Sequence, residues 1–126
     1  MIKVTMLMKR LPHLTFEEFD AYWRDHHGPL VCSFAKVLRI KRYIQTSAIQ
    51  DADVQERARA SRNMAEASFD GTAELWWDSF EDLAARKSEE SAKALRALVE
   101  DERKFIDLAR SQLWYGTQRE FIPGPA

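Results

Sequence analysis

The sequence is poor in residues that interrupt or staple a chain: four Gly, four Pro and a single Cys among 126 residues. So few breakers exclude a linker-rich or low-complexity protein. A lone Cys32 forms no internal disulfide, the pattern of a reduced, cytoplasmic protein. An excess of one charge is missing too. With 19 Lys and Arg against 20 Asp and Glu, the chain lacks the basic surplus that neutralises phosphates, so nucleic acid is not expected as a partner. The longest apolar runs, such as Val4 to Met8, fall far short of the roughly 20 residues of a membrane span. The opening MIKVTMLMKR has neither the apolar core nor the cleavage site of a secretory leader. No membrane association is expected. G-x-G-x-x-G, Walker and G-x-S-x-G motifs are also absent, so nothing local supports a nucleotide cofactor or a serine-hydrolase elbow. No cofactor is expected, and a reaction would use side chains, with water or dioxygen.

What is present is a clear periodicity. Residues 2 to 9 alternate, with Ile2, Val4, Met6 and Met8 on one face, which is the period of a strand. Thr15-Phe16-Glu17-Glu18 reads as a capping box that opens a helix, stapled by Leu14 and Phe19. Its apolar stripe runs through Phe16, Phe19, Trp23 and Leu30, and Gly28-Pro29 should end or bend it. A second strand is expected over 39–48, with Ile40 and Ile44 on one face and Tyr43 on the other. Residues 51–67, rich in Arg, Glu and Ala, suggest a surface helix or a mobile excursion. A third strand covers 72–78 after an Asp70-Gly71 turn, Ser79 opens a short helix, and Ala92, Leu95, Leu98, Val99, Phe105 and Ile106 mark a further helix. The last strand lies in 111–122, before a proline-bearing tail.

TFEEFDA at residues 15–21 and SFEDLAA at 79–85 share a capping hydroxyl, a Phe, a Glu, an acid and an apolar residue in the same order, each following a strand. Two strand-helix-strand units with matching helix starts give an α+β chain: a ferredoxin-like βαββαβ sandwich with a four-stranded antiparallel sheet. The domain is read as residues 1–122, with 123–126 as a short tail. Helices cover one face of such a sheet. Val4, Met6, Met8, Ile40, Ile44, Ala73, Leu75, Trp77, Leu113 and Tyr115 form the helix-facing set, while Leu7, Tyr43, Trp76 and Trp114 fall on the other face. That many large rings are poorly left wet, so a homodimer pairing these faces is expected.

The densest cluster of reactive groups is Tyr22-Trp23-Arg24-Asp25-His26-His27-Gly28-Pro29-Leu30. At 100° per residue His26 and His27 fall about equally to either side of the apolar stripe, so spacing leaves both as candidates. An imidazole with a pKa of about 6.5 accepts and returns a proton near neutrality, and burial beside Trp23 would favour its neutral form. The plainer role is a hydrogen bond to a carbonyl freed where the helix breaks. Adjacent histidines without a third His or Cys at ligand spacing do not make a zinc site, so no metal is expected. Cys32 is read as a buried, inert thiol, and Glu74 as a cross-strand partner of Lys3 or Lys41. Tyr22, Tyr43 and Tyr115 offer phenolic donors, with a core role as the plainer reading.

MLMKR, LTFEEFDAYWRDHHGPLV, GTAELWWDSFEDL and DERKFIDLARSQ together resemble the EthD family of dimeric α/β-barrel proteins. The most specific part is the F-x-x-Y/W-x-x-x-H-G-P-L run, realised as Phe19, Trp23, His27, Gly28, Pro29 and Leu30. The resemblance selects His27 over His26. It implies a ferredoxin-like protomer that pairs sheet to sheet and keeps a small cavity between helices and sheet. The stretch from Ala48 to Phe69 departs from the compact family pattern. Family proteins were named for association with an ether-degrading monooxygenase system. The wider superfamily holds cofactor-free quinone-forming monooxygenases, polyketide cyclases, muconolactone isomerases and haem-degrading enzymes. The expectation is an enzyme acting on an aromatic or polyketide-like carbonyl compound, with His27 as general base and Tyr22, Tyr43 or His26 as polarising donors. Met6, Met8, Trp23, Trp77 and Trp114 would form the pocket walls around this hydrophobic small molecule. The alternatives are a non-catalytic module that binds a hydrophobic ligand or serves an oxidase, and a haem-handling role in which His26 or His27 ligates iron.

Overall fold

The computed structural model describes residues 1–125, so position 126 of the expected 123–126 tail lies outside the described residues. Strands β1 (Ile2–Met8), β2 (Arg42–Ser47), β3 (Gly71–Trp77) and β4 (Gln112–Thr117) form one sheet in the order β2-β3-β1-β4, every pair antiparallel. This is the ferredoxin-like α+β fold read from the two strand-helix-strand units. Its helical layer is α1 (Phe16–Tyr22), a π-helical turn (Trp23–His27), α2 (Gly28–Ser33), α4 (Phe80–Ala84) and α5 (Glu89–Glu102). Between β2 and β3 the chain makes an excursion carrying α3 (Ala52–Ala60), which buries no residue of its own. Among the described residues no helix is long and apolar enough to cross a membrane.

Both matching helix starts cap as read. The Thr15 side chain accepts from the Glu18 N–H while Glu18 bonds back to the Thr15 N–H, and Ser79 accepts from the Asp82 N–H. Such a cap satisfies backbone donors that the first helical turn leaves open, and is worth about 1 kcal/mol.

The alternation in β1 holds: Ile2, Val4 and Met8 are buried against the helices. Register then carries Leu75 and Trp77, opposite Val4 and Ile2, onto the same face. The faces of β2 come out opposite to the reading from its sequence. Tyr43 pairs with Leu75 and Gln45 with Ala73, so both face the helices, whereas Ile44, opposite Glu74, faces outward. Ile40, which follows Arg39 at φ 60°, packs into the core from the connector, outside the ladder, so its side does not set the faces of the strand. On α5 the buried positions are Ser91, Ala94, Leu98 and Asp101, while Leu95 and Val99 lie at the surface, so the buried stripe is displaced from the one expected. Cys32 is exposed, contrary to its reading as a buried thiol.

The outward face carries Lys3, Glu74 and Trp76. Lys3 pairs with Glu74 as expected. Trp76 is buried beneath the cations of Lys3 and Arg42, whose charges lie 5.2 and 4.9 Å from its ring. Trp114 shares this face, opposite Thr5 of β1, and is half exposed.

Candidate active site

Pro29 shapes the site. It has no N–H for the carbonyl four residues back, and its ring would meet that carbonyl in a regular α-helix. The chain answers by opening into the π-helical turn, in which the Gly28 N–H reaches the Trp23 carbonyl, and then continues as α2. Turns of this kind recur at functional sites. The wider turn resets the helical phase and settles the ambiguity between neighbours. His27 falls in line with Phe19 and Trp23 on the buried face, its ring 5.0 Å from that of Phe105. His26 stays exposed and stacks on Tyr22 at 4.6 Å.

The polar partner of His27 comes from α5. Asp101 is 3% exposed; one carboxylate oxygen accepts from the Tyr22 hydroxyl at 2.5 Å and the other faces His27 Nδ1 at 2.7 Å. Burial alone would raise the Asp101 pKa, but the Tyr22 and His27 hydrogen bonds outweigh it and hold the group below its ordinary value. Tyr22 is pushed up to about 12 by burial and by Asp101, so it remains a donor. His27 is held below 6.5 by burial, against the pull of Asp101. At neutral pH the ring is therefore neutral and donates from Nδ1, which leaves Nε2 as an unprotonated acceptor. His26 Nδ1 and Lys104 Nζ lie farther from Asp101, at 3.5 and 3.8 Å.

His27 lines a cavity of about 60 Å³ between the helices and the sheet, together with Met6, Met8, Trp23, Tyr43 and Glu102. Met6, Met8 and Trp23 thus stand where pocket walls were expected, but Trp77 and Trp114 do not. Trp77 packs beside Ile2, Val4 and Leu83, with its indole N–H donating to the Leu38 carbonyl at 2.7 Å. Trp114 lies on the far face of the sheet, because neighbours in a strand alternate and its neighbours Leu113 and Tyr115 take the helix side. Tyr43 enters the cavity through the inverted face of β2.

Two acids were missed in the sequence. Asp101 and Glu102 interrupt the apolar pattern of α5 where Leu98 and Phe105 frame them, and an acid on the buried stripe of a helix was the available signal. Glu102 is pushed up to about 7 by burial, with Asp101 adding to the shift. Among the described residues, no three His, Cys, Asp or Glu side chains gather as a metal-binding group.

Two glycines make room for this arrangement. A Cβ on Gly71 would stand 2.8 Å from the Thr46 carbonyl oxygen and 2.8 Å from the Trp23 ring, and one on Gly28 would stand 3.0 Å from Gln45 Nε2. Gln45 uses that space to donate to the Trp23 carbonyl at 3.0 Å and to the Tyr43 hydroxyl at 2.8 Å.

A model of the EthD domain matches residues 11–109, a span that includes His27, Tyr43, Asp101 and Glu102. No curated protein matches the chain. Among solved structures, it is similar to an ethyl tert-butyl ether D (EthD) family protein from Bacillus halodurans C-125, at 21% identity over 94% of this chain and 99% of that one, with a TM-score of 0.63. It is similar to a dimeric protein of unknown function and ferredoxin-like fold from Bacteroides fragilis, at 8% identity over 91% and 93% of the two chains and a TM-score of 0.57. HapK from Hahella chejuensis gives 9% identity over 98% and 100%, with a TM-score of 0.58. At these identities the likenesses bear on the fold alone.

Proposed function

The chain belongs to the EthD family, and we propose that it is a small-molecule enzyme in which His27 removes a proton from the carbon beside a carbonyl group. The substrate is a hydrophobic compound of aromatic or polyketide-like type. The observation that carries this reading is a neutral imidazole opening on an apolar cavity, its Nδ1–H committed to a buried carboxylate at 2.7 Å. Orientation and tautomer are thereby set for a general base. The C–H bond breaks, its proton goes to Nε2, and the electron pair spreads onto the carbonyl oxygen as an enolate. Reprotonation at another carbon completes an isomerisation, attack on a second carbonyl completes a cyclisation, and reaction with dioxygen leads to oxygenation. All three share the first step.

The cavity of about 60 Å³ has room for roughly two waters. The reacting end of the substrate enters it, and the flexible Met6 and Met8 side chains give way to a bulkier group. A homodimer accompanies this reading: on the edge strand β4, Trp114 on the outer sheet face and Leu113 and Tyr115 on the helix side are each 50% exposed, large apolar side chains that a partner would cover.

The test is hydrogen exchange in D₂O, followed by NMR, at the carbons beside the carbonyl of acetone, cyclopentanone and 2-tetralone. The wild-type protein should accelerate exchange for at least one of them, and folded His27→Gln should return it to the buffer rate. Unchanged exchange in that variant removes the assigned base. A second reading, a non-catalytic binding module, is favoured by the closed Tyr22–Asp101–His27 network, which also serves to tie α5 to the first helix; ligand binding by a wild-type protein that exchanges nothing would select it.

A further inference from the structure

The cavity holds a second set of groups that the His27 base does not use. The Trp23 carbonyl is an acceptor only, so the Gln45 atom facing it at 3.0 Å is the amide nitrogen, and the second N–H of that same nitrogen points at the Tyr43 oxygen 2.8 Å away. The Trp23 indole N–H also leans toward that oxygen and, with Gln45, draws the Tyr43 pKa down against the rise that burial causes. It does so without completing a hydrogen bond, and it is sealed from solvent with no partner among the described residues. With N–H groups on its lone-pair side, the Tyr43 hydroxyl must send its own proton elsewhere. Glu102 is the polar group across the cavity, close enough for its charge to raise the Tyr43 pKa, and it has no hydrogen bond or ion pair among the described residues. Among the described residues no Lys or Arg lines the cavity.

We propose that Tyr43, oriented by Gln45, and Glu102 together receive the oxygen of the substrate, so that the cavity takes a neutral carbonyl compound and rejects a carboxylate of the same shape. This deepens the reading of His27 as a base and rests on it for the chemistry. Tyr43 donates a hydrogen bond to the carbonyl oxygen, and Glu102 in its acid form delivers a proton to that oxygen as His27 takes one from carbon. The ketone becomes an enol with no net change of charge on the substrate. A carboxylate finds no cation here and would sit beside a second acid, a cost that desolvation enlarges. Gln45 is a positioning residue; Tyr43 and Glu102 touch the substrate.

The groups that govern the titration are few. Glu102 is faced by Asp101 and Arg103 on its own helix and by Tyr43 from β2, while Cys32 of α2 faces Tyr43 and His26 faces Asp101. Exchange should rise with pH as His27 loses its proton below 6.5 and fall again as Glu102 loses its own near 7.

Two measurements test this. Saturation-transfer NMR with acetone and acetate, which have the same number of heavy atoms, should show acetone bound and acetate not, at pH 6 and pH 8 alike. Acetone exchange in D₂O should fall about 100-fold in Tyr43→Phe and in Glu102→Gln, and Glu102→Gln should lose the alkaline limb while keeping the acid limb. Gln45→Leu should lower kcat while leaving KM unchanged. Acetate binding as well as acetone, or an alkaline limb that persists in Glu102→Gln, overturns the proposal, as does a wild-type protein that binds neither probe. If acetone binds selectively but never exchanges, the catalytic reading of His27 fails while the selective oxygen site stands.

Discussion

Replacing Asp101 with Asn removes one charge from the centre of the site and changes its shape hardly at all. The wild-type carboxylate is 3% exposed and accepts from Tyr22 at 2.5 Å and His27 at 2.7 Å. Hydrogen bonds to a charged partner are worth roughly 1.5 to 3 kcal/mol each, neutral ones roughly 1, so exchanging two of them should cost about 2 kcal/mol at pH 7. For a chain of this length that is about 8 °C in Tm. The loss has a defined pH dependence. Asp101 is held below its ordinary 3.8 in the folded state, so its contribution is complete above that value and disappears as pH falls through the folded pKa. Urea unfolding should therefore show a gap between wild type and Asp101→Asn that widens as pH falls below 6.5, where the variant's lower His27 pKa costs it more, and narrows again below about 4 as Asp101 is protonated. His27 responds as well: without the carboxylate, burial acts unopposed and its pKa falls further below 6.5, shifting the acid limb of ketone exchange to lower pH. A gap that does not narrow as pH falls below about 4, or an acid limb that does not move, would refute the role given to the Asp101 carboxylate.

Gly71→Ala should destabilise the fold by about 2 kcal/mol, since the new methyl would lie 2.8 Å from both the Thr46 carbonyl oxygen and the Trp23 ring; a thermal melt checks this, and an unchanged Tm would show that Trp23 is not clamped there. Glu102→Gln should stabilise the protein at high pH only. The folded-state pKa is raised from 4.5 to about 7, so wild-type stability is full below 4.5 and declines as pH climbs through 7, by about 3 kcal/mol, whereas the amide has nothing to titrate; parallel urea curves at pH 5 and pH 8 decide it. Trp114→Glu, at a half-exposed position on the outer sheet face, should turn the proposed dimer into a monomer in sedimentation velocity; a wild-type monomer removes the proposed dimer, and a dimer that survives the substitution places the contact elsewhere.

The strands and both helix starts were legible because they rest on local rules: alternation in Ile2 to Met8, and capping hydroxyls at Thr15 and Ser79. Non-local geometry was not. Pairing with β3 sets the faces of β2, and Ile40 reaches the core from outside the ladder, so alternation counted from it runs out of phase with the strand. The choice between His26 and His27 depended on how the helix absorbs Pro29; a π-helical turn adds a residue that 100° spacing does not count. Asp101 and Glu102 stayed hidden because charged residues are read as solvated by default, although their place on the buried stripe of α5 departed from that default. Trp77 and Trp114 illustrate the converse, since large rings satisfy a core or a surface as readily as a pocket wall.

The most direct test of the central claim is the state of one ring. Nitrogen-15 NMR of the wild-type imidazoles should show His27 at pH 7 as a neutral ring protonated at Nδ1, with an unprotonated Nε2 and a titration midpoint below 6.5. A His27 that carries its proton on Nε2, or that is charged at pH 7, would contradict the account.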